Sequence, residues 1–150
     1  MLTEELKRLK SGTDVRGVAV GDKSPITLTD EAVNLICRAF IKWLSVKTGK
    51  TYFKIAIGND SRISEERIVS AATQGFLSCG SNVVYTGLSS TPSMFILLKE
   101  SDFRCDASVM VTASHLPYDR NGLKFFTPDG GLDGKDIDDI LEIAAKGDFL

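Results

Sequence analysis

The residues able to do chemistry crowd into one stretch. An apolar run, residues 107–111, leads into Thr112-Ala113-Ser114-His115-Leu116-Pro117-Tyr118-Asp119-Arg120-Asn121-Gly122, and a second apolar run, residues 123–126, carries Lys124. His115 is the chain's single histidine and directly follows a serine. Pro117 lacks an amide donor and holds φ at about −65°, so neither a helix nor a strand ladder is expected to continue through it. Asn121-Gly122 is read as a tight turn, because both residue types accept φ > 0. A hydroxyl (Ser114), an imidazole (His115) and an ammonium (Lys124) are thus expected together at the end of a buried strand, a set suited to an anionic oxygen. A serine is a weak nucleophile until a base or field activates it. A hydrolase would present G-x-S-x-G and draw its histidine from a separate segment, and neither feature is present. Walker A and G-x-G-x-x-G signatures are also missing, so nothing supports nucleotide binding. A phosphorylated serine fits better, since it carries about −1.5 to −2 charges at neutral pH and needs cationic or donor neighbours.

The elements that must position these groups follow from periodicity. Residues 2–10 form a short amphipathic helix with Leu2, Leu6 and Leu9 on one face. Residues 14–20 read as a strand carrying Arg16. Thr27 or Thr29 caps a long helix whose apolar stripe is Val33, Ile36, Cys37, Phe40, Ile41 and Leu44, with Trp43 packed beside it and Gly49 at the exit. A strand over residues 53–58 exits through Asp60 and Arg62. Ser64 caps a helix with Ile68, Ala72, Phe76 and Cys79 inside. A strand over residues 82–85 leads to Ser89 and Ser90, and Thr91 caps a third helix with Pro92 at its first position and Phe95 and Leu98 facing inward. Residues 127–131 form a turn, and Asp133 or Gly134 opens a last helix with Ile137, Ile140, Leu141 and Ala144 inside. The acidic cluster Asp133, Asp136, Asp138 and Asp139 lacks EF-hand spacing and reads as a solvated helix start. Alternating strands and helices imply an α/β fold: three layers, a mainly parallel mixed sheet with helices on both faces, and right-handed crossovers. In such a sheet ligands bind outside the carboxyl ends of the strands. Asp60 and Arg62, Ser90 and Thr91, and Ser114 and His115 should therefore share one rim.

The 150 residues suit a single domain with a proper core. A net charge of −2 gives no footing for general nucleic-acid or membrane binding, and no apolar run approaches the ~20 residues of a membrane helix. Three cysteines without a CxxC pair, two of them (Cys37 and Cys79) at apolar helix positions, read as buried free thiols in a reducing cytoplasm. The start of the chain is too charged for a signal peptide.

Thr112-Ala113-Ser114-His115-x-Pro117 followed by Asn121-Gly122-x-Lys124 resembles the phosphoserine loop of the α-D-phosphohexomutases, with Leu116 standing where that family usually has asparagine. Gly12-Thr13-Asp14 with Arg16-Gly17 resembles the same family's amino-terminal signature, and Asp60-Ser61-Arg62 another of its segments. The resemblance implies a cycle in which a phosphoserine gives its phosphoryl group to a hexose phosphate, and the bisphosphorylated sugar turns over and returns its other phosphate. It implies Ser114 as the phosphoserine, Lys124 as general base, Arg16 as the arginine beside the phosphate, and His115 as the group orienting a phosphate or substrate oxygen. It implies Mg2+ as cofactor, held by Ser114 through its phosphate together with a later aspartate loop, and a hexose phosphate and the remaining domains of a parent chain as partners. On this reading residues 1–150 are the family's first domain, truncated from a longer multidomain chain and expected to be inactive in isolation. The alternative is a non-catalytic module of the same fold that binds anionic ligands or a protein partner.

Overall fold

The computed structural model describes residues 2–100 and 102–150. Its seven strands are β1 (Lys10–Ser11), β2 (Asp14–Val18), β3 (Lys54–Asn59), β4 (Asn82–Leu88), β5 (Ala107–Val111), β6 (Arg120–Thr127) and β7 (Gly130–Gly131). Its α-helices are α1 (Leu2–Lys7), α2 (Asp30–Thr48), α3 (Glu65–Ser78), α4 (Thr91–Ile96) and α5 (Gly134–Lys146). The strands form one mixed sheet in the order β1-β2-β6-β5-β3-β4, with β7 hairpinned onto β6. Strand β3 pairs in parallel with β4 and β5, and the pairings β1–β2, β2–β6, β5–β6 and β6–β7 are antiparallel. Because β2 and β5 both run against β6, β2 points the same way as β3, β4 and β5. All four therefore end at one edge of the sheet. The order β5-β3-β4 also explains the layering. The crossover from β3 to β4 and the return from β4 past β3 to β5 move in opposite directions, so right-handedness puts their helices on opposite faces.

Each face has its own core. The larger joins α2, α3 and α5 to Val15, Ile55, Ile57, Val109, Val111, Leu123 and Phe125. The smaller joins α4 to Ala56, Met110 and Phe126, and the buried Ser108 hydroxyl donates to the Met94 carbonyl at 2.7 Å to fix α4 there. The apolar stripe expected for α2 is buried throughout, its cap is Thr29, whose hydroxyl accepts from the Ala32 amide, and Gly49 ends it at φ 76°. Trp43 packs 5.9 Å from Phe40 in a stacked pair.

Several boundaries differ from the sequence reading. Asn121-Gly122 is not a turn: both lie inside β6, opposite Gly17 and Arg16. Glycine is needed at 122 for space, since a β-carbon there would lie 2.3 Å from the Val15 carbonyl oxygen. The reversal occurs earlier, where the Arg120 amide bonds back to the Pro117 carbonyl at 3.0 Å. Helix α4 is capped by Ser90, not Thr91, through a reciprocal box with Ser93; Met94 in the helix and Leu97 in the 3-10 turn that follows it are the buried residues, with Phe95 and Leu98 only partly buried. Ser64 occupies the cap position of α3, but its hydroxyl makes no cap bond and instead accepts from Asn121 at 2.9 Å. Strand β4 runs three residues beyond the expected end because its pairing with β3 shifts register after Ile57 and resumes at Gly58–Gly87. The first helix stops at Lys7, and residues 10 and 11 turn into β1. Cys37 and Cys105 are buried, Cys79 is half-buried, and all three are free thiols; burial pushes each thiol's pKa up. No described helix is long and apolar enough to cross a membrane.

Candidate functional site

Strands β2 and β6 bring the expected cations to one face. Val15, Leu123 and Phe125 point into the larger core, so strand alternation sends Asp14, Arg16 and Lys124 to the other face. There the Asp14 carboxylate lies between both cations: Arg16 donates to one oxygen at 3.0 Å and Lys124 to the other at 3.0 Å. The Asp14 side chain is only 7% exposed, while Arg16 and Lys124 retain 21% and 28% exposure. The buried anion thus fixes two cations whose outer parts stay in contact with water. The Arg16 nitrogen that meets Asp14 also reaches the Ser114 hydroxyl at 3.3 Å. Lys124 makes no bond to Ser114 and shares only Asp14 with Arg16.

Ser114 is exposed at the carboxyl end of β5, and its φ of 55° is a left-handed conformation uncommon for a residue with a β-carbon. Both of its backbone polar groups are held. Its amide donates to the Thr112 hydroxyl oxygen at 3.0 Å, and the Thr112 hydroxyl donates to Asp60 at 2.6 Å. Its carbonyl accepts from Arg62 at 2.6 Å. Arg62 is itself paired with Asp60 at 3.3 Å, which closes a ring of four residues that includes the serine. The same guanidinium donates to the carbonyls of Pro117 at 2.7 Å and Arg120 at 3.1 Å. One arginine from the β3 exit loop therefore fastens the whole serine loop, with Leu116 in the middle of it. Charge-assisted bonds of this kind are about twice as strong as neutral ones, and they offset a backbone strain on the order of 1–3 kcal/mol.

Of the residues expected on the rim, Asp60, Arg62 and Ser114 are joined by hydrogen bonds; Arg16 of β2 bonds Ser114, and Lys124 of β6 joins them through Asp14. Ser90 and Thr91 lie at the same edge, after β4, but serve the start of α4. His115 is exposed beside Ser114 and bonds to none of the described residues. Asp14 is the member that the sequence reading assigned no role. Its signal was an acidic residue two positions before a strand arginine, on the same face. The network joins three cationic side chains to the serine in different ways: Arg16 reaches the hydroxyl, Arg62 holds the backbone carbonyl, and Lys124 is tied to Arg16 through Asp14. A phosphate on that hydroxyl would meet Arg16 already oriented by Asp14. For a divalent cation the fit is incomplete: no three His, Cys, Asp or Glu groups converge among the described residues, and Asp14 and Asp60 are occupied by cations and Thr112. The acidic residues near α5 are engaged in capping and ion pairing instead, Asp133 and Asp136 in a box at the helix start and Asp138 and Asp139 with Lys10 and Lys135.

Residues 7–150 match the family model described as phosphoglucomutase/phosphomannomutase, alpha/beta/alpha domain I. A phosphoglucosamine mutase of Exiguobacterium sibiricum is 38% identical over 137 residues, covering 91% of this chain and 28% of that protein. A phosphoglucosamine mutase of Dictyoglomus turgidum is 37% identical over 132 residues, covering 87% of this chain and 28% of that protein. Among solved structures, a phosphoglucomutase/phosphomannomutase family protein from Burkholderia thailandensis superposes with a TM-score of 0.79 at 25% identity, over 99% of this chain and 31% of that one. The chain therefore spans somewhat under a third of the length of the relatives it matches.

Proposed function

The chain belongs to the phosphoglucomutase/phosphomannomutase family, of which it carries the α/β/α domain I, and from that premise we propose that it is the phosphoryl-carrying domain of a mutase that interconverts hexose 1-phosphate and hexose 6-phosphate. The observation that carries the reading is the contact between Arg16 and the Ser114 hydroxyl, 3.3 Å apart, on a loop whose backbone is held in place. Phosphoryl transfer depends mainly on positioning and on stabilising charge, and this network provides both. In the forward step a sugar hydroxyl attacks the phosphorus of phosphorylated Ser114. The new sugar O–P bond forms, the Oγ–P bond breaks, and Lys124 in its neutral amine form accepts the sugar hydroxyl's proton, after which its ammonium pairs with Asp14. Arg16 neutralises charge on the transferring group, and exposed His115 orients a phosphate or sugar oxygen. In the return step the other phosphate of the bisphosphorylated sugar goes back to Ser114. Magnesium would lower the charge on the phosphates, and the phosphate on Ser114 is the ligand this chain would offer it; the step above uses only this chain's own groups. The names of the relatives from Exiguobacterium and Dictyoglomus favour including glucosamine phosphates in the substrate class. Unpaired thiols favour a reducing compartment such as the cytoplasm.

The test is covalent and needs no turnover. The purified chain is incubated with magnesium and glucose 1,6-bisphosphate, and its intact mass is measured. One added phosphate, located on Ser114 by peptide fragmentation and lost in Ser114→Ala, is the expected result. Phosphate taken up at another residue, or uptake unchanged in Ser114→Ala, would overturn the carrier assignment.

A further inference from the structure

A cleft of about 410 Å3 opens between α1, the outer edge of β2 and the start of α2, within the usual range for a small-molecule site. Three of the chain's seven arginines line it: Arg8, Arg16 and Arg120. The guanidinium groups of Arg8 and Arg120 are exposed and have no hydrogen-bond or ion-pair partner among the described residues, and the Glu31 carboxylate on the same wall has none either. Thr27 presents a hydroxyl that accepts from the Val18 amide at 2.9 Å, leaving its own proton free to donate. Leu9 supplies an apolar wall. The cleft adjoins the serine loop at two points. Arg16 lines it and also bonds Ser114, and the single guanidinium of Arg62 bridges the carbonyls of Arg120 and Ser114. Two unpaired guanidinium forks fit a phosphate. An unpaired carboxylate and a free hydroxyl proton fit sugar hydroxyls, and an aliphatic wall fits the C–H face of a ring.

We propose that this cleft is a second binding site, beside the phosphoryl-carrying serine, for a sugar phosphate: Arg8 and Arg120 clamp the phosphate, while Glu31 and Thr27 bond the sugar. The choice of a sugar phosphate rests on the mutase reading, but the cleft's affinity does not depend on Ser114 being a carrier. The experiment is therefore done in the Ser114→Ala background, where a failure of the mutase reading cannot enter. The chain is titrated with glucose 6-phosphate, inorganic phosphate and unphosphorylated glucose, and the amide NMR signals of Gly17, Thr27 and Arg120 are followed. Glucose 6-phosphate should shift these signals saturably, inorganic phosphate should bind more weakly, and glucose should leave them unmoved. Arg8→Ala and Arg120→Ala should each weaken the ester about tenfold or more, the scale of a lost charged hydrogen bond. Neither side chain bonds within the fold, so the spectra outside the cleft should stay unchanged. Unaltered affinity in both variants, shifts confined to residues 112–124, or equal affinity for inorganic phosphate and the ester would overturn the proposal.

Discussion

At the scale of single residues the candidate site turns on Asp14. A carboxylate side chain only 7% exposed would carry a large desolvation cost alone; here it is bonded to a guanidinium and an ammonium that both remain partly wet. Its effect is to hold Arg16 and Lys124 at a fixed spacing on adjacent strands. Asp14→Asn keeps the volume and one acceptor but removes the charge facing two cations. We expect a loss of about 1–3 kcal/mol of stability, read from urea unfolding, together with slower phosphate uptake by Ser114, because Arg16 is no longer held beside it. An unchanged uptake rate would mean that Asp14 serves the fold alone. Ser114, His115 and Lys124 were visible as candidates in the sequence because their types are chemically unusual together. Asp14 was not, because an aspartate after Gly12-Thr13 reads equally well as an ordinary turn residue, and only strand pairing puts its side chain between Arg16 and Lys124. Arg62 was visible as a loop arginine, but its grip on three carbonyls depends on where residues 114–120 travel, which no local pattern encodes.

At the scale of elements, periodicity found what lies on one face and missed what depends on a neighbour. The stripes of α2 and α5 are buried as read. The turn assigned to Asn121-Gly122 failed because glycine has two uses, positive φ and close approach, and the second applies where β6 passes within reach of Val15 and Thr112. The cap of α4 moved by one residue because Ser90 and Thr91 are both good cap types and the reciprocal bond with Ser93 decided between them. The start of α5 gives a pH-dependent prediction. The Asp136 amide donates to the Asp133 carboxylate at 2.9 Å, and this bond, the largest contribution, holds the Asp133 pKa below the usual carboxylate range. A carboxyl whose pKa is lower folded than unfolded stabilises the fold above its unfolded value and loses that contribution as pH falls through its folded value. The stability difference between the wild-type chain and Asp133→Ala should therefore be constant from about pH 6 to 8 and shrink below about pH 4. Thermal unfolding across this range reads it, and a difference independent of pH would mean that the uncharged acid caps the helix equally well.

At the scale of the whole molecule, two cores lie on opposite faces of one sheet, and β3, β5 and β6 contribute side chains to both. Loss of either core exposes the other through the shared strands, so the chain should unfold by circular dichroism and by Trp43 fluorescence in one coincident transition, as single domains of this size usually do. The layered α/β arrangement was legible because three strands alternate with helices. The antiparallel half was not, because direction in β2 and β6 is set by pairings far apart in sequence, such as Arg16 with Gly122. The same architecture determines what this chain should do by itself. Strand ends gather the serine, its cations and the Arg62 clamp on one rim, but Ser114 and His115 lie exposed on that rim. Transfer between two sugar oxygens requires the sugar to be held in line and water to be kept from the phosphorus, and an exposed rim does neither. Phosphorylated Ser114 in this 150-residue chain should therefore lose its phosphate slowly to water and should not isomerise sugar phosphates. The assay incubates the chain with magnesium, glucose 1-phosphate and a trace of glucose 1,6-bisphosphate, and measures glucose 6-phosphate with a coupled dehydrogenase. Product no greater than the bisphosphate supplied is the expected outcome. Continued formation beyond that amount, abolished by Ser114→Ala, would show that the rim alone can hold the sugar through both half-reactions.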